Sequence, residues 1–332
     1  MVIGIVLFHS GAKDLTHYAN HSQQRRRDIV MRRLSGIYGL VVIGLFLFLL
    51  PSIGEGVDVI VDCSGQSLQA AIYAAPANTT IIVKGTCNEN VVINENKSKI
   101  TIDGLGTATI QAANATTTVT VYGRGIVIKR LHITGGYNGI SVSNGGTATI
   151  SSNTIDFAGN NGVVISNGSV AFVVKNTILN NSNSGIEVHD NATAHIGFVN
   201  YSDTAAQANT IRSNGSHGIN VSRSSSASIV GNVIRINTNN GIKVQRDSHA
   251  DISGNTINNN GANGIRVETN SGVNLGNEAG TSIFDFPNST TVKNGNKGIS
   301  CDIGGYADGL LGTLNGVNGA TGFSNGCFDN LL

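Results

Sequence analysis

A five-residue phrase returns along this chain at a nearly constant interval, and that recurrence limits the possible folds more than any other feature. It reads NGISV, NGVVI, SGIEV, HGINV, NGIKV, NGIRV and KGISC, with glycines at Gly139, Gly162, Gly185, Gly218, Gly241, Gly264 and Gly298. The spacings are 23, 23, 33, 23, 23 and 34 residues, so the two long intervals are one repeat plus insertions of 10 and 11. Between glycines a second apolar segment recurs, as at Ala148 to Ile150, Ala227 to Ile229 and Ala250 to Ile252, and then a third, as at Asn153 to Ile155, Asn176 to Ile178 and Asn255 to Ile257. Each coil of about 23 residues therefore carries three short alternating segments separated by Gly and Asn turns. Alternation this brief cannot make amphipathic helices, and the pattern predicts a parallel β-solenoid, an all-β fold in which each coil buries its apolar face only by stacking on its neighbours.

Residue choice within the repeat agrees. In NGIKV, Ile242 and Val244 alternate inward and stack on the equivalent pair of the next coil, about 4.8 Å away. Asn138, Asn161, Asn240 and Asn263 suit turns, and they and the series Asn153, Asn176, Asn209, Asn232 and Asn255 can form amide ladders between coils. Before the repeats, Leu68 to Ala75 has helical apolar spacing and predicts a short capping helix. The expected boundaries are 57–300 for the solenoid and 301–332 for an irregular cap, because the phrase dissolves into Gly-rich sequence beyond Cys301.

The phrase SLQAAIYAAPANTTIIVKGTCNENVVI, followed by the GI-x-V and N-x-I repeats, resembles bacterial right-handed parallel β-helix repeat proteins of the pectate-lyase-like superfamily. The resemblance covers nearly all of the chain after its N-terminal segment. It implies a right-handed β-helix and no one reaction, since that architecture serves lyases, hydrolases, esterases, epimerases, adhesins and accessory proteins alike.

The N-terminal segment reads as an export signal. Arg32 and Arg33 precede the apolar run Ile37 to Leu50, with Ser52, Gly54 and Gly56 after it, the order of a secretory signal peptide over 31–56. Extending the run from Leu34 to Ile53 makes an uncleaved anchor the alternative, and the membrane enters only through that segment. Met1 and Met31 are the only methionines, so residues 1–30 are expected to be a dispensable extension or a product of start-site choice. Four cysteines cluster as Cys63 with Cys87 and Cys301 with Cys327, favouring two local disulfides that tie down the ends of an exported solenoid. Secreted, periplasmic and cell-surface locations all fit.

Charge excludes one class of partner. The formal charge of +1 includes six basic and three acidic residues in 1–56, so the remainder, with 15 basic against 17 acidic, is near −2. That leaves no basic patch for nucleic acid. Oligomeric state does not follow from the sequence.

Chemistry must come from outward positions. Two places after each glycine stand Ser141, Val164, Glu187, Asn220, Lys243 and Arg266; four places after stand Ser143, Ser166, His189, Ser222, Gln245 and Glu268; five places after stand Asn144, Asn167, Asp190, Arg223, Arg246 and Thr269. The first coils are bland and the later ones charged. A β-elimination lyase needs a cation against a uronate carboxylate and a base, parts that Lys243, Arg246 or Arg266 beside His189 supply. A hydrolase needs paired carboxylates, for which Glu187, Asp190, Asp247 and Glu268 are available. Arg223 and the insertion residue Tyr201 complete the expected substrate-binding set, with the insertion walling a groove beside the charged face. No metal site is read from His195, His217 and His249, which fall at different repeat positions; calcium is the one cofactor kept open. Two functions follow as expectations: interaction with a polysaccharide, with lyase-like activity on the charged face, or a non-catalytic solenoid for adhesion or scaffolding. The low aromatic content, 5% with no Trp, weighs against a broad sugar-stacking platform.

Overall fold

The computed structural model describes residues 58–276, 282–302 and 304–332; the expected signal segment and N-terminal extension lie outside them. Among the described residues no helix is long and apolar enough to cross a membrane. The described residues form 28 strands and one helix, wound into a parallel solenoid of about 12 turns.

One coil shows how the repeat folds. Ile242–Gln245 lies in a ten-stranded parallel sheet built from the GI-x-V phrases. The chain then turns through Arg246 and Asp247 into His249–Ser253, and through Gly254 and Asn255 into Thr256–Asn258, both in an 18-stranded sheet that wraps the other two sides. The next coil repeats each strand in register, with Ile242 on Ile265, Ala250 on Val273 and Val244 on Val267. Ile242, Val244, Ala250, Ile252 and Ile257 are all fully buried, and each large aliphatic contributes about 1.5–3 kcal/mol.

Glycine opens the phrase because coils pass too closely there for a side chain. A Cβ on Gly241 would lie 2.6 Å from Ile257 Cγ2 and 2.7 Å from the Gly264 carbonyl oxygen. Of the two expected asparagine ladders, the first forms only in part: Asn263 Nδ2 donates to Asn240 Oδ1, whereas Asn138 Oδ1 accepts from the Asn161 backbone amide, and Ser184 and His217 interrupt the series. Asn153, Asn176, Asn209, Asn232 and Asn255 are buried, each Nδ2 donating to the next Oδ1, and the ladder continues to Asn288. A third ladder, Asn181, Asn214, Asn237, Asn260 and Asn294, was not read from the repeat.

The capping helix α1, Leu68–Ala74, covers the first coils with Leu68 and Ile72. Ser67 Oγ accepts from the Ala70 amide, and the Glu89 carboxylate takes the Leu68 and Gln69 amides, so three otherwise orphaned donors are satisfied. Cys63–Cys87 and Cys301–Cys327 are disulfides. The stretch 301–332 departs from the expected irregular cap. Tyr306–Gly309, Thr321–Phe323 and Phe328–Leu331 pair parallel with the preceding coils.

Candidate functional site

The outward face of the ten-stranded sheet carries the charged lanes in the expected register: Val164, Glu187, Asn220, Lys243 and Arg266 run side by side, as do Ser222, Gln245 and Glu268. The structure divides these residues into two groups with different chemistry.

Toward the C-terminal end the charges neutralise one another. Lys243 Nζ lies 2.7 Å from Glu268 Oε1, Arg266 Nε donates to Glu268 Oε2 at 2.6 Å, and an Arg266 Nη2 reaches Asp302. Paired with both cations, Glu268 has its carboxyl held below the usual range even though burial opposes this. Lys243 and Arg266 are therefore engaged within the protein. A cation already paired with a carboxylate is poorly disposed to meet a substrate carboxylate without first breaking that bond.

Toward the centre the face opens into a groove of about 460 Å³ running across the coils from Gly139 to Gly241. Its floor is Glu187, His189, Asn220, Ser222 and Gln245; Tyr137, Asn160, Asn183 and Ser216 line one edge and Arg223 and Arg246 the other. Burial is the dominant influence on Glu187 and raises its pKa, although Asn220 Nδ2 donates to Oε1 at 2.8 Å and favours the charged form. His189 Nδ1 is 2.7 Å from Asp190 Oδ2, which fixes the imidazole, and Arg223 lies 3.7 Å from the other Asp190 oxygen. His217 replaces a ladder asparagine, accepting the Asn240 amide at 3.3 Å; burial first, then Lys243, pushes its pKa down to about 4, so it is neutral near pH 7.

Arg223 and Arg246 occupy turn positions with φ of 56° and 57°, where two earlier coils place Asn144 and Asn167. A left-handed backbone costs a residue other than Gly or Asn about 1 kcal/mol. Two arginines held there, on the groove's edge, are strained placements at a candidate site.

The other candidates separate from this groove. Asp247 sits in the outer turn beside Arg246 and does not line it. Ser248, between Asp247 and His249, is buried in a serine ladder with Ser225 and Ser271, as a residue on the opposite face of a strand must be. Tyr201 lies on another side of the solenoid. The insertion leaves after the strand Thr193–Ile196 of the 18-stranded sheet, and Tyr201 packs against His195, Phe198 and Phe284. It walls a different pocket, with Asp251 and Asn274. The sequence placed it in the right coil, but a linear repeat does not show which turn carries an insertion until each lane's three-dimensional side is known. Asn220, Ser222 and His217 were read as neutral lane or ladder members; their share in the groove comes from neighbouring coils.

Among the described residues the one grouping of possible metal ligands is Cys63, Cys87 and Glu89, and its sulfurs are joined as a disulfide. Glu268 and Asp302 are engaged by cations, so the charged face presents no ready cluster of free carboxylates for calcium.

These coils define a β-helix whose outer sheet bears one polar groove. Residues 119–302, more than half of the sequence, match the family described as right handed beta helix region, and the chain belongs to that family. Among solved structures it is similar to a double mutant of the periplasmic alginate epimerase AlgG, at 13% identity over 83% of this chain and 72% of that one, with a TM-score of 0.53. It is also similar to pectate lyase Pel9A, at 14% identity over 83% and 79%, with a TM-score of 0.52. At such identities the likeness is one of fold. No curated protein sequence matched.

Proposed function

We propose that this protein is exported and binds an acidic polysaccharide along the groove of the ten-stranded sheet, where Glu187 and His189 provide proton-transfer groups. The observation that carries the reading is the groove itself: open, polar, spanning five coils, and edged by Arg223 and Arg246. Five coils span roughly 19 Å at the spacing of neighbouring strands, room for several sugar units in a row. The arginines match uronate carboxylates with planar, bidentate donors. Glu187 holds its proton longer than an exposed carboxyl and His189 is oriented by Asp190, which suits them to exchange a proton at a carbon beside a carboxylate. The fold-level likeness to an alginate epimerase and a pectate lyase agrees with a polyuronate substrate. The disulfides and the N-terminal segment support export.

Affinity electrophoresis in gels containing polygalacturonate, alginate or neutral dextran tests binding, with and without calcium. Retardation by a polyuronate and not by dextran is expected, weakened about tenfold in Arg223→Ala/Arg246→Ala and less than twofold in Lys243→Ala, each decade being about 1.4 kcal/mol. Ultraviolet absorbance of unsaturated uronates reports lyase chemistry in the same samples, and Glu187→Gln or His189→Ala should abolish any rise. Absence of binding to every polyuronate would overturn the proposal and favour an adhesion or scaffolding solenoid.

A further inference from the structure

The two insertions of the repeat meet on the side of the solenoid away from the groove. The first, after Ile196, is braced by Asp203, whose Oδ2 accepts from the Val199 and Asn200 amides and from Gln207. The second returns through Ser282 to Asp285, and Phe198, Val230 and Ile283 bury together as a small core separate from that of the coils. That core holds the described parts of both insertions against the 18-stranded sheet. Between them lies a pocket of about 350 Å³ lined by Tyr201, Phe284, Ser228, Asp251, Asn274 and Asp285, among others. Its size falls at the low end of the roughly 300–1,000 Å³ typical of small-molecule sites.

Aromatic side chains are scarce in this chain, yet they gather here. Phe172, Phe198 and Tyr201 surround His195, and Phe284 packs on Phe198 and Tyr201, standing 5.3 Å from the Tyr201 ring with planes tilted 32°. Tyr201 remains 68% exposed, so its ring is available to a ligand. The polar side of the pocket is prepared as well. Tyr306 Oη lies 2.8 Å from His249 Nδ1, and His249 Nε2 lies 3.0 Å from Asp251 Oδ1, a chain of hydrogen bonds that fixes the imidazole. Tyr306 reaches His249 because its ring lies over Gly272, where a Cβ would come within 1.9 Å of it. Asn274 Nδ2 also donates to Asp251 Oδ1, and among the described residues Oδ2 has no donor. The His249 bond, ahead of the opposing burial, holds Asp251 below the usual carboxylate range. Asp285 is only 7% exposed, and its Oδ1 has no hydrogen-bond partner among the described residues. Asp285 thus contributes negative charge to the wall, and Asp251, whose side chain is 54% exposed, is the carboxylate that the pocket offers to a ligand.

We propose that this pocket is a second carbohydrate site, which takes a single neutral pyranose ring rather than the acidic chain bound in the groove. A pyranose has an apolar C–H face for Tyr201 and Phe284 and hydroxyl donors for Asp251 and the Asn274 side-chain oxygen. The lining holds two carboxylates and no Lys or Arg, so it repels uronates, whereas the groove's arginines attract them. The pocket thus selects neutral rings and the groove acidic ones.

The test uses the full disulfide-bonded chain with methyl glycosides of glucose, galactose and mannose, glucosamine and galacturonate. Saturation-transfer NMR reads ligand contact, and titration of the intrinsic tyrosine fluorescence, usable because the chain has no Trp, reads affinity. Saturable binding of at least one neutral glycoside is expected, with Tyr201→Ala and Asp251→Ala each weakening it at least tenfold and Tyr201→Phe within threefold. Arg223→Ala/Arg246→Ala leaves it unchanged, which separates failure of this site from failure of the groove. Tyr201 is exposed, so its replacement tests the site without threatening the fold. No binding by any neutral glycoside, binding indifferent to Tyr201→Ala, or a tenfold preference for glucosamine or galacturonate would each overturn the proposal.

Discussion

Replacing Asn209 with Ala tests whether the buried amide ladder holds the coils together, and its cost can be worked bond by bond. The side chain is fully buried. Its Oδ1 accepts from the Asn176 amide at 2.9 Å and from Asn176 Nδ2 at 3.0 Å, while its Nδ2 donates to the Val173 carbonyl at 2.7 Å and to Asn232 Oδ1 at 2.8 Å. Alanine removes all four, but most partners keep another. Val173 O still accepts from Gly197, Asn232 Oδ1 from the Asn209 amide, and Asn176 Nδ2 still reaches Ile150 and Val174 carbonyls. Only the Asn176 N–H is left buried without an acceptor, which costs about 1–3 kcal/mol, and the two bonds donated by Nδ2 add roughly 1 kcal/mol each. The expected loss is therefore about 3–5 kcal/mol, read as a lower urea midpoint, with faster hydrogen exchange at the Asn176 amide. Asn239→Ala is the control, because that side chain is exposed and makes one 3.5 Å contact to Ser216 Oγ. If Asn209→Ala cost no more than Asn239→Ala, the ladder would be packing filler and the argument from unpaired donors would fail.

Three further outcomes are expected. His217 titrates at about 4 when folded and near 6.5 when unfolded, so the unfolded chain takes up the proton first and stability falls as pH drops from 6.5 to 4. His217→Asn, which restores a ladder amide, should therefore gain on the wild type by about 2 kcal/mol between pH 7 and pH 4 in urea melts, after discounting for solvent screening. Glu187 has the opposite sign. Its folded pKa lies above the unfolded value, so its favourable contribution is present at low pH and is lost as pH rises through the folded pKa; Glu187→Gln should be the more stable protein at pH 7 and lose that advantage in acid. Replacing Cys301 and Cys327 with Ser opens a closure of sequence separation 26 and should cost roughly 2–4 kcal/mol, seen as proteolysis of the last coils, while polyuronate binding by the distant groove is retained.

How much of this was legible in the sequence depends on whether a property repeats. The period, the inward Ile and Val and the ladder from Asn153 to Asn255 could be read, because stacking forces equivalent residues to solve the same packing problem in every coil, whereas the two disulfides followed from four cysteines clustered in pairs at the ends. The charged lanes were legible for the same reason, down to the register of Glu187 beside Asn220. Pairings between lanes were not. Lys243 and Glu268 stand in different lanes of successive coils, and alignment on the glycine sets out each lane without showing that a lysine side chain reaches diagonally across two of them. The insertions escaped for a related reason, since they interrupt the period and obey no lane. Tyr201 and Phe284 lie far apart in sequence, and only folding both insertions over Val230 reveals that they share a pocket.

The same contrast accounts for what each face can bind. A lane advances by one residue per coil, about 4.8 Å, so a site made from lanes is a line of equivalent positions suited to a polymer whose units repeat on a similar scale. Selectivity within that line must come from breaking the equivalence, as Arg223 and Arg246 do by replacing asparagine in left-handed turns. An insertion does the reverse: it adds a non-repeating wall at one level of the stack and encloses a volume that admits one ring. Solenoid coils transmit strain mainly to their neighbours, so the two sites can be altered separately provided the coils between them stay stacked. Shortening the loop 199–207 should therefore remove the pocket and leave the groove's polyuronate binding intact. Loss of both together would mean that the insertion braces the coil of Glu187, and that the two faces are coupled through the core.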